Sequence, residues 1–265
     1  MGRKLRHVLI FLLIILKEPN MPEADCSCAS SENCTCIDMG LTSIPQNLPS
    51  SLSCLNLERN CITANQIAMI HPRTFANLPR LYSLELDRNN ITMIQPGTFA
   101  NLPRLKWLDL DINKITMISP GTFVNLPRLD ALKVSENQIK MIQSGTFANL
   151  PRLRWLDLDV NQIKTIQPGA FANLPRLEKL ELCDNRITMI RPVTFANLPR
   201  LEVLKLCHNQ IKMIQPGTFQ KMALFRLNIM KFHSIKDEII CDQPPKFQGQ
   251  KLQDINPEEI HHDQC

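Results

Sequence analysis

The chain has 265 residues, 44% of them hydrophobic and 21% charged, with a formal net charge of only +5. That apolar share can bury a substantial core. Lys and Arg are scattered along the sequence rather than clustered, so composition gives no electrostatic case for nucleic acid.

In chain order, the first segment carries Arg3, Lys4 and Arg6 ahead of an apolar run from Val8 to Leu16, then Pro19 and Pro22. This run is far shorter than the roughly 20 apolar residues a membrane span needs, so residues 1–24 read as a signal peptide with the small Ala24 as a plausible cleavage site. No later stretch could span a bilayer, and no apolar tail suggests a lipid anchor. Cys26, Cys28, Cys34 and Cys36 crowd behind the signal, where an oxidising compartment would pair them. Three pairings are open, and zinc is the alternative for two close C-x-C pairs. Two glycosylation sequons occur, at Asn33 and at Asn90, the first overlapping a cysteine, so Asn90 is the better candidate.

A constant step then takes over. Asn65, Asn89, Asn113, Asn137, Asn161, Asn185 and Asn209 recur every 24 residues, a solenoid period. Around each of the last six runs L-x-x-L-x-L-x-x-N-x-I-x-x-I, as in Leu105, Leu108, Leu110, Asn113, Ile115 and Ile118, followed by near-copies of Pro96 to Arg104. Leucines alternating with polar residues predict one half-buried strand per repeat, with Leu108 and Leu110 inward and Asp109 outward. After the strand the chain turns and leaves backbone groups without ladder partners, and an asparagine amide, both donor and acceptor, can satisfy them between neighbouring coils. Phe75, Phe99, Phe123, Phe147, Phe171, Phe195 and Phe219 share one column and predict an aromatic spine. In the first coil either Asn60 or Asn65 can take the asparagine position, because the regular phase resumes five residues late. The chain divides into a cysteine-rich segment at 25–51, repeats at 52–223, and a last strand with a cysteine-bearing tail at 224–265, where Leu224, Leu227 and Ile229 precede Cys241 and Cys265.

These motifs resemble the extracellular leucine-rich-repeat family, of the 24-residue type found in Toll-type receptors, matrix proteoglycans and variable lymphocyte receptors. The resemblance implies an α/β solenoid: a leucine-rich-repeat horseshoe with a parallel β-sheet on its concave face and irregular or 3-10 segments on its convex face. It also implies disulfide caps at both ends, with the first half of the C-terminal cap missing before Cys241. By the same resemblance the protein is a secreted binder of a protein or other macromolecule, in immune recognition or cell-surface signalling, with a matrix or adhesion role as the alternative.

Comparison among the repeats localises the variation. The T-F-A-N-L-P-R segment is nearly unchanged, whereas the strand positions between the leucines differ from coil to coil. The candidate ligand-binding residues are therefore Tyr82, Glu85, Asp87, Trp107, Asp109, Asp111, Trp155, Asp157, Asp159 and Glu181. Tryptophan is enriched at binding hot spots. The acids suggest a partner with a basic patch and no nucleic acid. Cys183 and Cys207 stand one repeat apart, close enough for a cross-strand disulfide, with two free thiols as the alternative. An open sheet offers no oxyanion site or water-excluding pocket around Cys207 and His208, so no enzyme activity is expected. Neither is a metal or cofactor, since His261, His262 and Asp263 lack a matching ligand set.

Overall fold

The computed structural model describes residues 27–30, 32–45, 48–62, 69–70, 72, 74–195 and 198–214. The signal segment, Cys26, Asn65, Phe219, Cys241, Cys265 and the last strand and cap at 224–265 lie outside the described residues.

The chain opens with β1 (Ser27–Ser30) and β2 (Asn33–Thr35), an antiparallel pair. Then follow β3 (Cys54–Asn56), β4 (Met69–Ile70), β5 (Ser83–Glu85), β6 (Met93–Ile94), β7 (Trp107–Asp109), β8 (Ala131–Lys133) and β9 (Met141–Ile142). The series continues through β10 (Trp155–Asp157), β11 (Thr165–Ile166), β12 (Lys179–Glu181), β13 (Met189–Ile190), β14 (Val203–Lys205) and β15 (Met213–Ile214). Nine of these form one sheet in the order β1-β2-β3-β5-β7-β8-β10-β12-β14, parallel from β2 onward. The two-residue strands pair on the other side of the coil, β4 with β6, β9 with β11 and β13 with β15.

Register follows the repeat. Leu84, Leu108, Leu132, Leu156, Leu180 and Leu204 are mutual partners along the sheet, and all are buried. A one-residue slip would turn this whole row to solvent, which is why the pattern fixes the pairing. Behind the leucines the phenylalanines stack from Phe75 to Phe195, with ring centroids 5.8 to 6.1 Å apart and rings within 14° of parallel. Each ring thus covers the next, and the core is one column extending through every described coil.

The outer side takes the irregular form rather than the 3-10 one: among the described residues there is no helix of either kind. Consecutive three-residue-apart bonds such as Thr98 N–H to Gln95 O (3.2 Å), Ala100 N–H to Gly97 O (3.1 Å) and Leu105 N–H to Leu102 O (3.2 Å) make separate turns. Between them Gly97 (φ 80°) and Asn101 (φ 67°) adopt the left-handed region, which interrupts any right-handed run.

The asparagine column is fully bonded, and it is buried from Asn60 to Asn185. Asn113 donates through Nδ2 to Leu86 O in the preceding coil (2.9 Å) and to Leu110 O in its own (3.1 Å), while its Oδ1 accepts from Ile91 N–H (3.0 Å). The same pattern recurs at Asn89, Asn137, Asn161, Asn185 and Asn209. In the first coil Asn60 holds this position, accepting from Met39 and Leu41 N–H at 3.0 Å and donating to Cys36 O at 2.6 Å. Asn113→Ala should destabilise the solenoid by about 2 kcal/mol in urea unfolding, because it orphans buried backbone groups on two coils. Exposed Gln138→Ala should cost under about 0.5 kcal/mol. Equal effects from the two would remove the ladder from the stability argument.

Cys183 and Cys207 form a disulfide with Cα atoms 4.6 Å apart, joining adjacent coils near the C-terminal end of the sheet. Cys34 and Cys36 are buried and disulfide-bonded in the N-terminal cap.

Candidate functional site

The concave sheet presents two side-chain rows that differ from coil to coil. One runs Ser83, Trp107, Ala131, Trp155, Lys179, Val203; the next outward row runs Glu85, Asp109, Lys133, Asp157, Glu181, Lys205. Residues two positions further on, Asp87, Asp111, Ser135, Asp159, Cys183 and Cys207, continue the face beyond the strand ends.

Two tryptophans two coils apart would stand about 10 Å from each other at strand spacing. Their ring centroids are instead 5.9 Å apart, edge to face at 68°. The residue between them explains this: Ala131 is small, and both indoles lean over it until it is only 5% exposed. Trp155 Nε1–H donates to Glu181 Oε2 at 2.6 Å, and the Lys179 ammonium sits 4.6 Å over the Trp155 ring. At the N-terminal side Lys106 lies 4.9 Å over Tyr82, which is 46% exposed. Tyr82, Ser83, Glu85, Lys106, Trp107 and Asp130 line an open cleft of about 270 Å³. An aromatic, cationic and acidic wall meet there within one small space.

The acids are not the uniformly exposed row that alternation predicts. Asp109, Asp111 and Glu181 are buried, at 8%, 7% and 3% exposure. Lys133 reaches between the first two, 2.8 Å from Asp109 Oδ2 and also bonded to Asp111. Glu181 is held by Lys179 at 2.8 Å and by Lys205. Burial disfavours the Glu181 charge, but the bonds from Lys179, Lys205 and Trp155 outweigh it and hold the carboxyl below its usual range. Burial likewise opposes the Lys133 charge, and its bonds to Asp109 and Asp111 overcome that, raising its pKa. Burial wins at Asp109, whose pKa is raised despite Lys133. Asp87, Asp157 and Asp159 have weaker compensation: burial first, then neighbouring carboxylates, push each up to about 6. Glu85 is raised by burial and by Asp109 and Glu58, although Asn56 and Ser83 bond its carboxylate.

The sequence reading picked out every acid in these rows and missed the lysines that neutralise some of them. A signal was available. The column 85, 109, 133, 157, 181, 205 reads Glu, Asp, Lys, Asp, Glu, Lys, so the same 24-residue period that found the acids also carries their partners. The thiol that nucleophilic chemistry at Cys207 would need is taken up in the disulfide, and His208 pairs with Asp184 at 3.0 Å.

A parallel sheet of one strand per coil, a buried asparagine ladder and a phenylalanine stack define a leucine-rich-repeat solenoid. The chain belongs to that family: the leucine rich repeat pattern matches residues 62–114, 79–139, 127–182 and 175–231. Among solved structures, the chain is similar to a crystal structure of TLR13 in complex with ssRNA13, at 27% identity and a TM-score of 0.55. The likeness covers 63% of this chain and 25% of that one, so this chain spans about a quarter of its length. No curated protein sequence matches the chain.

That likeness corrects one expectation. Nucleic acid was excluded as a partner on the grounds of scattered basic residues and an acidic concave face, yet the similar solenoid is bound to single-stranded RNA. Charge does not exclude nucleic acid here, for two physical reasons. A fixed period stacks residues scattered in sequence into rows in space, and the concave acids are interleaved with Lys133, Lys179 and Lys205.

Proposed function

We propose that the protein is an exported recognition module that binds a macromolecule on its concave face and carries out no chemistry of its own. The observation that carries this reading is the Trp107–Trp155 pair. Two large aromatics meet on the individualised face, beside an open cleft and half-neutralised carboxylates, while the outer segments repeat almost unchanged. Large aromatic side chains of this kind supply much of the energy at binding surfaces. Export accounts for the charged and apolar N-terminal segment and for the disulfides, and it would make Asn90, half-exposed on the flank of the coil, a glycosylation site.

A second reading names the ligand as single-stranded RNA, favoured by the complex in which the similar TLR13 chain is found. Charge separates that ligand from a basic peptide. Asp87, Asp157 and Asp159 lose charge as pH falls through about 6, so an oligolysine peptide should bind better above that pH and an RNA oligonucleotide below it.

The chain's two tryptophans are both in this site, so intrinsic fluorescence reports occupancy directly. Titration with oligolysine or a single-stranded RNA should change the emission, and Trp107→Ala or Trp155→Ala should weaken the effective probe by about 2 kcal/mol, roughly thirty-fold. Unchanged emission with both probes across pH 5 to 7.5, or unchanged affinity in both variants, would count against the concave site.

A further inference from the structure

Six turns of identical construction run along one edge of the solenoid, just before β5, β7, β8, β10, β12 and β14. In each, a buried leucine accepts a hydrogen bond from the leucine three residues on: Leu81 N–H to Leu78 O at 3.1 Å, Leu105 to Leu102 at 3.2 Å, Leu129 to Leu126 at 3.3 Å, Leu153 to Leu150 at 3.2 Å, Leu177 to Leu174 at 3.3 Å and Leu201 to Leu198 at 3.2 Å. The two residues between are always proline and arginine. Proline at the second turn position presets its φ, and both flanking leucines are anchored in the core, so every turn holds its arginine at the same point of its coil. Arg80, Arg104, Arg128, Arg152, Arg176 and Arg200 are all exposed. None of the six makes an ion pair or side-chain hydrogen bond among the described residues, whereas the concave Arg154 is bonded to Glu178 at 2.8 Å.

The row is regular and long. Coil spacing lies between the roughly 4.8 Å of paired strands and the 5.8 to 6.1 Å of the phenylalanine stack, so six guanidiniums extend over about 25 to 30 Å. One unpaired cation per coil, in a regular series, is complementary to a linear polyanion. Guanidinium is suited to the anionic groups of such a chain because its planar fork donates two parallel bonds to two oxygens of one sulfate or phosphate.

The surroundings favour a sulfated polysaccharide over a nucleic acid. Single-stranded nucleic acid is held by aromatic platforms as well as by charge. Along this edge the phenylalanines are buried, the two tryptophans lie on the concave face, and Tyr82 at one end is the exposed aromatic ring among the described residues. What accompanies the arginines is a row of exposed amides, Asn101, Asn125, Asn149 and Asn173, with Asn173 Nδ2 bonded to Asn149 Oδ1 at 2.9 Å. Amides offer both donors and acceptors to sugar hydroxyls. Acids approach the row at Asp130, Glu178 and Glu202, whereas the N-terminal end has Tyr82 and Lys106 in the corresponding positions, so binding should be strongest around Arg80 and Arg104.

We propose that the arginine edge from Arg80 to Arg200 is a binding site for a linear sulfated polysaccharide, separate from the concave recognition face. The test uses heparin, immobilised for affinity and in solution for salt dependence. The triple variant R80Q/R104Q/R128Q should bind about ten-fold or more weakly at 0.15 M salt and show a shallower dependence of log affinity on log salt, by roughly two to three. A control, K114Q/K140Q/K164Q, removes the same charge from exposed positions on the flank of the coil and should retain most of the affinity, as should Trp155→Ala. Circular dichroism would establish that all variants keep the fold. Equal losses in the two triple variants would reduce the effect to net charge and overturn the assignment. So would a single-stranded RNA of matched charge that binds this edge more tightly than heparin and loses affinity in the arginine variant, since that would place a phosphate backbone there instead.

Discussion

Lys133→Met should destabilise the solenoid by about 4 kcal/mol at pH 7.5, the largest single-residue effect expected on this face. The ammonium bridges Asp109 and Asp111, both of which are buried. Methionine is close in volume and apolar, so it fills the space while leaving two carboxylates 24-residue neighbours of nothing cationic. Removing one partner of a buried pair costs more than the pair itself contributes, because the remaining charge has neither water nor counter-ion. The companion variant K133M/D109N/D111N removes the charges as well and should recover most of the loss. Asp111 Oδ1 accepts from Ser135 N–H and Asp109 Oδ1 from Asp111 N–H, bonds that an asparagine oxygen can keep. Urea unfolding of the three proteins decides the matter: a single variant as stable as its parent at pH 7.5 would show that these carboxylates are adequately solvated. Acid should also narrow the deficit, since burial already raises the pKa of Asp109.

The fold was legible because its determinants are periodic. A leucine, an asparagine and a phenylalanine recurring every 24 residues each have one physical role, and the structure places each row where its role requires. Positions set by a neighbouring coil were harder to read. Nothing local to Trp107 or Trp155 says that the rings meet; that depends on Ala131, a residue of another coil whose small size leaves room for both. The same holds for charge. Asp109 looks outward by alternation along its own strand, but its burial is decided by Lys133 in the next one. Residues such as Asn60 show a third kind of difficulty: the first coil breaks the period, and only the carbonyl of Cys36 and the amides of Met39 and Leu41 in the cap determine which asparagine fills the column. Reading sequence columns as spatial neighbours would have recovered the lysine partners, since Lys133 and Lys205 stand one repeat after Asp109 and Glu181, and Lys179 one repeat after Trp155.

Acidification from pH 7.5 to 5 should raise the stability of the folded chain, against the usual behaviour of carboxylate-rich surfaces. Asp87, Asp157 and Asp159 titrate at about 6 in the fold against an ordinary value of 3.8, chiefly because burial disfavours their charge. A folded pKa above the unfolded one means that the native state binds more protons between those two values, so unfolding free energy rises as pH falls through about 6 and levels off near 4. Glu181 works in the opposite sense, but its folded pKa is lowered below 4.5, so its contribution is lost only at more acid pH and does not offset the gain. Solvent reaches these half-buried groups and screens them, leaving about 1 kcal/mol each and about 3 kcal/mol together. About half of this gain is present by pH 5, so the thermal midpoint should climb by roughly 3 to 6 °C between pH 7.5 and 5. Replacing two of the three with isosteric amides, D157N/D159N, should raise the midpoint at pH 7.5 and flatten most of the pH dependence. The amide oxygens can still accept from Asp159 N–H and Cys183 N–H, so the turn geometry survives the change. A midpoint that falls steadily from pH 7.5 to 5 in the parent, or a double variant that is less stable than the parent at pH 7.5, would mean that these carboxylates are stabilised by their surroundings rather than crowded by them, and that the concave face keeps its full negative charge at mildly acid pH.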